Sequence, residues 1–194
     1  MRIRFTVLGS SMVKRLFVAL DLPEDLARRL AELDPGIGGL RWSPVERLHV
    51  TLCFLGNVDE EAHARLVEAL ADVTCEPFPL RVKGCGCFAK HGGLVLWAGV
   101  DDPADALPLL HRKVARAVRA AGLDPGPSRL QPHLTVARAR HGKPALVRDF
   151  LDAHAGEVFG EFTVNGVTLY SSELRSEGPS YHEEYRRSFS ASPA

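Results

Sequence analysis

The feature that most constrains the fold is a His-x-Thr pattern that occurs twice, each time inside a short apolar run. Residues 48–52 read LHVTL and residues 132–136 read PHLTV. In a β-strand the side chains of residues i and i+2 lie on the same face, so each histidine shares a face with its threonine. The pattern therefore predicts two strands that bury one face and present an imidazole and a hydroxyl on the other.

The elements around these strands come in mixed order, which predicts an α+β fold with mostly antiparallel sheets. Residues 16–20 are a run of strand formers, and residues 26–33 carry leucines at helical spacing. Residues 176–187 are polar and rich in turn formers, so we expect only a short last strand near residues 185–189. The similarity of the two histidine strands indicates a weak internal duplication. Two lobes related by approximate two-fold symmetry would bring both polar faces to one central cleft.

The boundaries of the domain are predicted from the position of a second methionine. Met12 directly precedes the first strand, so residues 1–12 are interpreted as an N-terminal extension at the start site. Residues 13–194 are then expected to form a single bilobal domain.

Composition excludes several classes of partner. The 24 basic and 24 acidic residues balance, so no overall positive field attracts nucleic acid, and contact with a polyanion must come from a local cluster. No apolar run approaches the roughly 18 residues of a spanning helix, and no secretory signal is evident. The four cysteines lack the spacing of a disulfide framework. We therefore predict a cytoplasmic, monomeric protein that does not contact membranes.

Paired histidines in one cleft suit displacement at phosphorus. The reference pKa of histidine, about 6.5, allows one imidazole to act as a neutral base while the other acts as a protonated acid. The base would activate water and the acid would protonate the departing oxygen. The threonine hydroxyls would bond phosphate oxygens. This chemistry predicts no metal, no cofactor and a bell-shaped pH–rate profile.

Other chemical signals in the sequence are weaker. Cys85 and Cys87 with His91 resemble part of a zinc site, but no second ligand pair is evident, so cysteines paired on a strand are the preferred interpretation. The sequence contains no glycine-rich loop of the kind that binds nucleotide phosphates, so no motif supports an ATP-driven ligase mechanism.

Several aromatic and basic residues near the motifs are candidates for RNA contacts. Trp42 and Phe54 could stack on a base, but Phe54 is expected in the core because strict alternation puts it opposite His49. Tyr181 is assigned to a loop with a low expectation of contact. Four basic residues near the motifs are interpreted as solvated surface: Arg41, Arg47, Arg140 and Lys143.

An ordered set of segments carries a resemblance to a known family. The chain resembles the 2H phosphoesterase superfamily, specifically the RNA 2′,3′-cyclic phosphodiesterases, also called 2′-5′ RNA ligases. The resemblance covers about residues 14–190 and is more specific than either histidine motif alone. It rests on these segments, in order: RLFVALD at 15–21, LRW at 40–42, HVTLCFLG at 49–56, LWAGV at 96–100, PHLTVAR at 132–138 and LYSSEL at 169–174.

The resemblance implies a bilobal, pseudo-two-fold 2H phosphoesterase fold, with two mostly antiparallel sheets flanking a central cleft and helices outside. It implies hydrolysis of 2′,3′-cyclic phosphate RNA ends to 2′-phosphomonoesters, with reverse 2′-5′ ligation. His49 would donate a proton to the leaving 3′ oxygen and His133 would accept one from water. These labels would exchange for the reverse, ligation-type reaction. Thr51, Thr135 and Arg138 would bind the substrate phosphate.

The resemblance leaves two points open. Strict alternation aims Arg138 away from the face of His133, so a phosphate contact requires a β-bulge or the end of the strand to redirect it. The substrate is expected to be an RNA end, such as that of a tRNA-like fragment, or a small cyclic nucleotide. The alternatives are a non-catalytic module that binds RNA ends or cyclic nucleotides, and a 2H enzyme for another small cyclic phosphate.

Overall fold

The computed structural model describes residues 13–90, 93–176 and 178–190. The predicted extension, residues 1–12, lies outside the described residues, and the single domain over residues 13–194 stays a prediction. The strands are β1 (Lys14–Asp21), β2 (Arg41–Trp42), β3 (His49–Val58), β4 (Phe78–Lys90), β5 (Gly93–Asp101), β6 (His133–Ala139), β7 (Val158–Val164), β8 (Gly166–Arg175) and β9 (Gly178–Ser188). The α-helices are α1 (Glu24–Ala31), α2 (Glu60–Ala71), α3 (Leu107–Ala120) and α4 (Arg148–Ala153).

The sheet has the symmetry that the two histidine strands predict. Its strand order is β7-β4-β5-β6-β3-β1-β8-β9, with β2 added beside β6, and these strands pair in antiparallel fashion. The β6-β5-β4-β7 half mirrors the β3-β1-β8-β9 half, and the two histidine strands are innermost. The sequence predicted two sheets. In the structure β3 and β6 pair through Val50 and Leu134, so the two halves form one continuous sheet.

Burial of apolar helix faces fixes the helices against this sheet. In α1, Leu26, Ala27 and Leu30 are buried, which confirms the helical spacing seen in the sequence. Asp59 precedes α2, and its side chain accepts a hydrogen bond of 2.8 Å from the backbone N–H of Ala62. This cap satisfies one of the free N–H groups at the start of the helix. Among the described residues, no helix is long and apolar enough to cross a membrane.

A β-bulge follows the histidine in each motif strand. In β3, Thr51 lies opposite Ala19 while Cys53 lies opposite Val18, so Leu52 is an additional residue. Leu52 and Cys53 are consecutive and both buried. Because two successive residues point into the core, the alternation of β3 is reversed beyond the bulge.

The bulge makes the sequence-based assignment of Phe54 wrong. Phe54 is 64% exposed and lies on the same face as His49, with its ring 6.0 Å from that of Phe17. The expectation of a core position assumed uninterrupted alternation, and a bulge cannot be recognised from one apolar strand sequence.

The final strand is longer than the sequence predicted. β9 extends from Gly178 to Ser188 and pairs with β8 along its length. The apolar pattern of the sequence does not reveal this strand, because an edge strand exposes many of its side chains and these are mostly polar. This strand places Tyr181 within the sheet, so the assignment of Tyr181 to a loop is wrong.

Candidate active site

The two histidines lie side by side at the junction between the lobes. Val50 lies opposite Leu134 in antiparallel register, which puts His49 beside Thr135 and Thr51 beside His133. The histidines are therefore diagonal neighbours, which an ideal ladder separates by about 7–8 Å, with their Cβ atoms somewhat closer. The four polar side chains therefore lie on the same face of the β3–β6 junction.

Each imidazole is oriented by a hydrogen bond to the backbone carbonyl of the residue two positions earlier. Nδ1 of His49 lies 2.9 Å from the carbonyl oxygen of Arg47, and Nδ1 of His133 lies 2.7 Å from that of Gln131. A carbonyl only accepts, so Nδ1 is the donor in both cases. Nε2 of each ring takes no part in this bond. It is a proton acceptor when the ring is neutral and a proton donor when the ring is charged.

His49 sits in an aromatic surround that controls its charge. Its ring centroid lies 4.8 Å from that of Phe17 and 5.3 Å from that of Tyr181. Burial lowers the pKa of His49 to about 4, although the hydrogen bond to the Arg47 carbonyl and the charge of Asp21 oppose this change. His49 is therefore neutral near pH 7 in the unliganded protein.

Asp21 is the carboxylate that the sheet pairs with His49. It lies directly opposite His49 in the β1–β3 pairing, so both side chains are on the same face. It accepts hydrogen bonds from the hydroxyls of Thr168, at 2.6 Å, and Tyr170, at 2.5 Å, and it forms an ion pair of 3.0 Å with Arg186. These partners hold the carboxylate in place beside the imidazole.

The other histidine has no carboxylate at the corresponding place. Gly99 lies opposite His133 in the β5–β6 pairing, where Asp21 lies opposite His49. The two histidines thus occupy equivalent positions in the two halves of the sheet, but the residues opposite them, Asp21 and Gly99, differ. An adjacent carboxylate favours the charged form of an imidazole, so the asymmetry assists protonation of His49 specifically.

Replacing Asp21 by asparagine is expected to lower the pKa of His49 below that of the parent protein. The variant keeps one of the two acceptor oxygens that Thr168 and Tyr170 use, replaces the other by an NH₂ group and removes the charge, so activity at neutral pH should fall by about tenfold. NMR titration of the imidazole nitrogens, together with the rate, measures both effects. A fall in rate with an unchanged His49 titration would contradict this role for Asp21.

Arg138 is redirected toward the site by the second bulge. In β6, Thr135 lies opposite Trp97 while Ala137 lies opposite Leu96, so Val136 is the additional residue. The structure therefore contains the bulge that a phosphate contact by Arg138 requires. A guanidinium nitrogen of Arg138 lies 3.4 Å from the hydroxyl oxygen of Thr135.

Arg41 is a second arginine, in register with Arg138. It lies opposite Arg138 in the β2–β6 pairing, so the two side chains share a face. Like charges directly opposite each other are unfavourable unless an anion lies between them. Arg41 is exposed, as interpreted from the sequence, and its pairing with Arg138 could not be read from a strand of only two residues.

The remaining candidates divide between structure and site. Trp42 is structural, because its indole N–H bonds the Leu30 carbonyl at 3.1 Å and its ring packs edge-on against Phe150. Tyr181 belongs to the site, because its ring contacts His49. The sequence offered little indication of this role, since a single tyrosine in a polar edge strand belongs to no recognisable motif. Arg140 and Lys143 are both exposed and lie beyond the end of β6.

The cysteine candidates do not form a recognisable metal centre. Cys85 and Cys87 are free thiols on β4, and His91 lies outside the described residues. Burial raises the pKa of Cys85 to about 12, so its thiolate is strongly disfavoured. Within the described part of the chain, no group of three or more His, Cys, Asp or Glu side chains is arranged to hold a metal ion.

The fold and the paired histidine strands are those of the 2H phosphoesterase class. A family model described as the 2′-5′ RNA ligase superfamily matches residues 22–175, and the chain belongs to this superfamily. The resemblance inferred from the sequence is thereby confirmed. Two proteins named RNA 2′,3′-cyclic phosphodiesterase are similar, one from Archaeoglobus fulgidus with 35% identity over 87% of this chain and 97% of that protein, and one from Aquifex aeolicus with 32% identity over 85% and 89%.

Solved structures agree with this assignment of the fold. A protein from Thermus thermophilus has a TM-score of 0.70 at 29% identity, covering 90% of this chain and 97% of that one. E. coli LigT, complexed with 3′-AMP, has a TM-score of 0.73 at 24% identity, covering 92% and 99%. The predicted α+β 2H phosphoesterase fold is confirmed.

Proposed function

We propose that the protein hydrolyses 2′,3′-cyclic phosphate ends of RNA to 2′-phosphomonoesters by two-histidine acid–base catalysis. The observation that carries the proposal is the pair of imidazoles on adjacent strands, each anchored through Nδ1 to a backbone carbonyl and each able to use Nε2 in one cleft. The similarity to proteins named RNA 2′,3′-cyclic phosphodiesterase supports the substrate. The cytoplasmic, monomeric state expected from the sequence is part of the proposal.

In this mechanism His133 accepts a proton from the attacking water through Nε2, and His49 donates a proton to the leaving 3′ oxygen. The position of Asp21 opposite His49 supports this order, because a proton donor must carry its proton when the substrate is bound. The negative charge of the bound phosphate raises the pKa of a nearby imidazole, so substrate binding offsets the effect of burial on His49.

The phosphate oxygens are held by hydroxyl and guanidinium groups. Thr51 and Thr135 alternate with the histidines around the cleft and donate to non-bridging oxygens. Arg138 and Arg41 bind the same group from one side, where their paired positive charges complement the phosphate. The charge that accumulates during displacement is thus met by groups already in position.

The test uses a short RNA ending in a 2′,3′-cyclic phosphate, incubated with the protein and a chelator. We expect conversion to a 2′-phosphate end at a rate that the chelator does not change, because no step uses a metal ion. Mass spectrometry follows the addition of water, and NMR of the product identifies the phosphorylated hydroxyl.

The other outcomes distinguish the alternatives. Binding of the RNA end without product after long incubation would indicate a non-catalytic module. Faster turnover of a mononucleoside cyclic phosphate than of the oligomer would indicate an enzyme for small cyclic phosphates. Strict dependence on added metal, or a 3′-phosphate product, would contradict the mechanism.

A further inference from the structure

An aromatic groove lies beside His133, on the side of the cleft away from His49. Its volume is about 450 Å³, and its lining includes Lys83, Phe88, Trp97 and Asp101 together with His133. The rings of Phe88 and Trp97 lie 5.4 Å apart, and Phe88 meets His133 edge-on at 5.2 Å. The groove is open, since Phe88 is 37% exposed.

The groove depends on two local features of its lobe. Trp97 lies opposite Thr135, whereas Ala19 occupies the corresponding place opposite Thr51. The indole of Trp97 lies against Gly86, where an added Cβ would come within 2.1 Å of the ring. A side chain at residue 86 would displace the indole, so glycine keeps this wall of the groove in place.

We propose that the aromatic groove is an acceptor subsite, which binds the terminal nucleoside of a second RNA strand through its base and presents the 5′-hydroxyl to His133. This inference rests on the proposed function. In-line displacement puts the leaving and attacking oxygens on opposite sides of phosphorus. Since His49 protonates the 3′ oxygen, the ribose of the cyclic end lies on the His49 side, and the groove is on the side of the nucleophile.

The distribution of charge agrees with this division. On the His49 side, Arg15, Arg47 and Arg138 are all close enough to act electrostatically on Tyr181, so the phosphates of the donor RNA have cationic partners there. In the groove, Lys83 is accompanied by the carboxylate of Asp101. A nearly neutral aromatic surface suits a terminal nucleoside with an uncharged 5′-hydroxyl better than it suits a polyanion.

Joining in this subsite is a balanced exchange of bonds. The 5′-hydroxyl oxygen forms a bond to phosphorus while the bond from phosphorus to the 3′ oxygen breaks. His133 takes the hydroxyl proton at Nε2, and His49 gives its Nε2 proton to the 3′ oxygen, leaving a 2′-5′ linkage. The 5′-hydroxyl replaces water, so the roles of the histidines are unchanged. The exchange of the donor and acceptor roles between His49 and His133, which the resemblance implied for ligation, applies instead to cleavage of a 2′-5′ linkage.

The experiment measures the ratio of joined to hydrolysed product from one cyclic-ended RNA in the presence of excess RNA with a 5′-hydroxyl. In the Phe88→Ala variant we expect this ratio to fall by about tenfold, because stacking of a base on the ring is lost. Because Phe88 also meets His133, any loss that comes from the base itself is shared by hydrolysis and joining and cancels in the ratio. Phe88→Trp should restore joining, and Leu109→Ala, an exposed position on α3, serves as the control.

Each other result has a definite meaning. An equal loss of hydrolysis and joining in Phe88→Ala would overturn the inference and assign the groove to the nucleoside of the cyclic end itself. An unchanged ratio would also overturn it, as would normal hydrolysis by the parent protein without any joined product at high acceptor concentration. Failure of the parent protein to hydrolyse the cyclic end would instead count against the proposed function.

Discussion

Alanine in place of His133 is expected to lower kcat/KM for a cyclic phosphate end by about 10²–10⁴, and alanine in place of His49 by a similar factor. Each substitution removes one proton transfer from the transition state, and a proton acceptor or donor at that place is lost with the ring. The Nδ1 bond to the carbonyl of Arg47 or Gln131 shows that each ring is oriented rather than merely present. Steady-state rates for the two variants and the parent protein measure the loss.

The two variants are distinguished by changing the leaving group. A para-nitrophenyl phosphodiester releases a weakly basic phenolate, which does not need a proton from an acid. His49→Ala should therefore recover most of its activity on this substrate, while His133→Ala should stay inactive because attack by water still needs a base. Recovery in His133→Ala instead would show that the donor and acceptor are the reverse of those proposed.

Glutamine provides the matched control for both positions. His49→Gln and His133→Gln retain a polar side chain of similar size but do not transfer protons at neutral pH. Their losses should equal those of the alanine variants. A glutamine variant that stays active would contradict proton transfer and favour a binding role for that histidine. Circular dichroism and thermal unfolding of each variant confirm that the fold is intact.

Periodicity predicted the parts of the protein that depend on local alternation. The common face of His49 and Thr51, and that of His133 and Thr135, follows from a two-residue repeat, which holds until a strand bulges. The buried leucines of α1 follow from helical spacing in the same way. The family resemblance then supplied the substrate and the order of the catalytic roles, which alternation does not contain.

The features that escaped prediction depend on contacts between strands distant in the sequence. The bulges at Leu52 and Val136 are visible only when the neighbouring strands are aligned, and they determine where Phe54 and Arg138 point. In the sequence, Asp21 simply follows the apolar run of residues 16–20. Its position opposite His49 is a matter of register, which a single sequence without an alignment does not reveal.

Binding of a cyclic phosphate end is expected to take up close to one proton at His49. In the unliganded protein burial lowers the pKa of His49 to about 4, so the ring is neutral between about pH 5 and 7. A bound phosphate anion favours the imidazolium and raises this pKa. Because the bound state then holds more protons than the free state, affinity must fall as pH rises, by up to about tenfold per pH unit between the two pKa values.

The inactive His133→Ala variant allows this measurement with intact substrate. A cyclic phosphodiester does not titrate in this range, and removal of His133 leaves His49 as the titrating imidazole of the cleft. Calorimetry in buffers with different ionisation enthalpies counts the protons taken up, and dissociation constants at several pH values give the slope. The double variant with His49→Gln should show neither uptake nor slope.

Asp21→Asn in the same background makes the test more specific. Without the carboxylate opposite His49, the pKa of the bound imidazole should be lower, so uptake should disappear at a lower pH than in the His133→Ala protein. The donor role of His49 requires the proton to be present in the complex. Tight binding at neutral pH without proton uptake would leave His49 uncharged beside the leaving oxygen, and such a ring has no Nε2 proton to give.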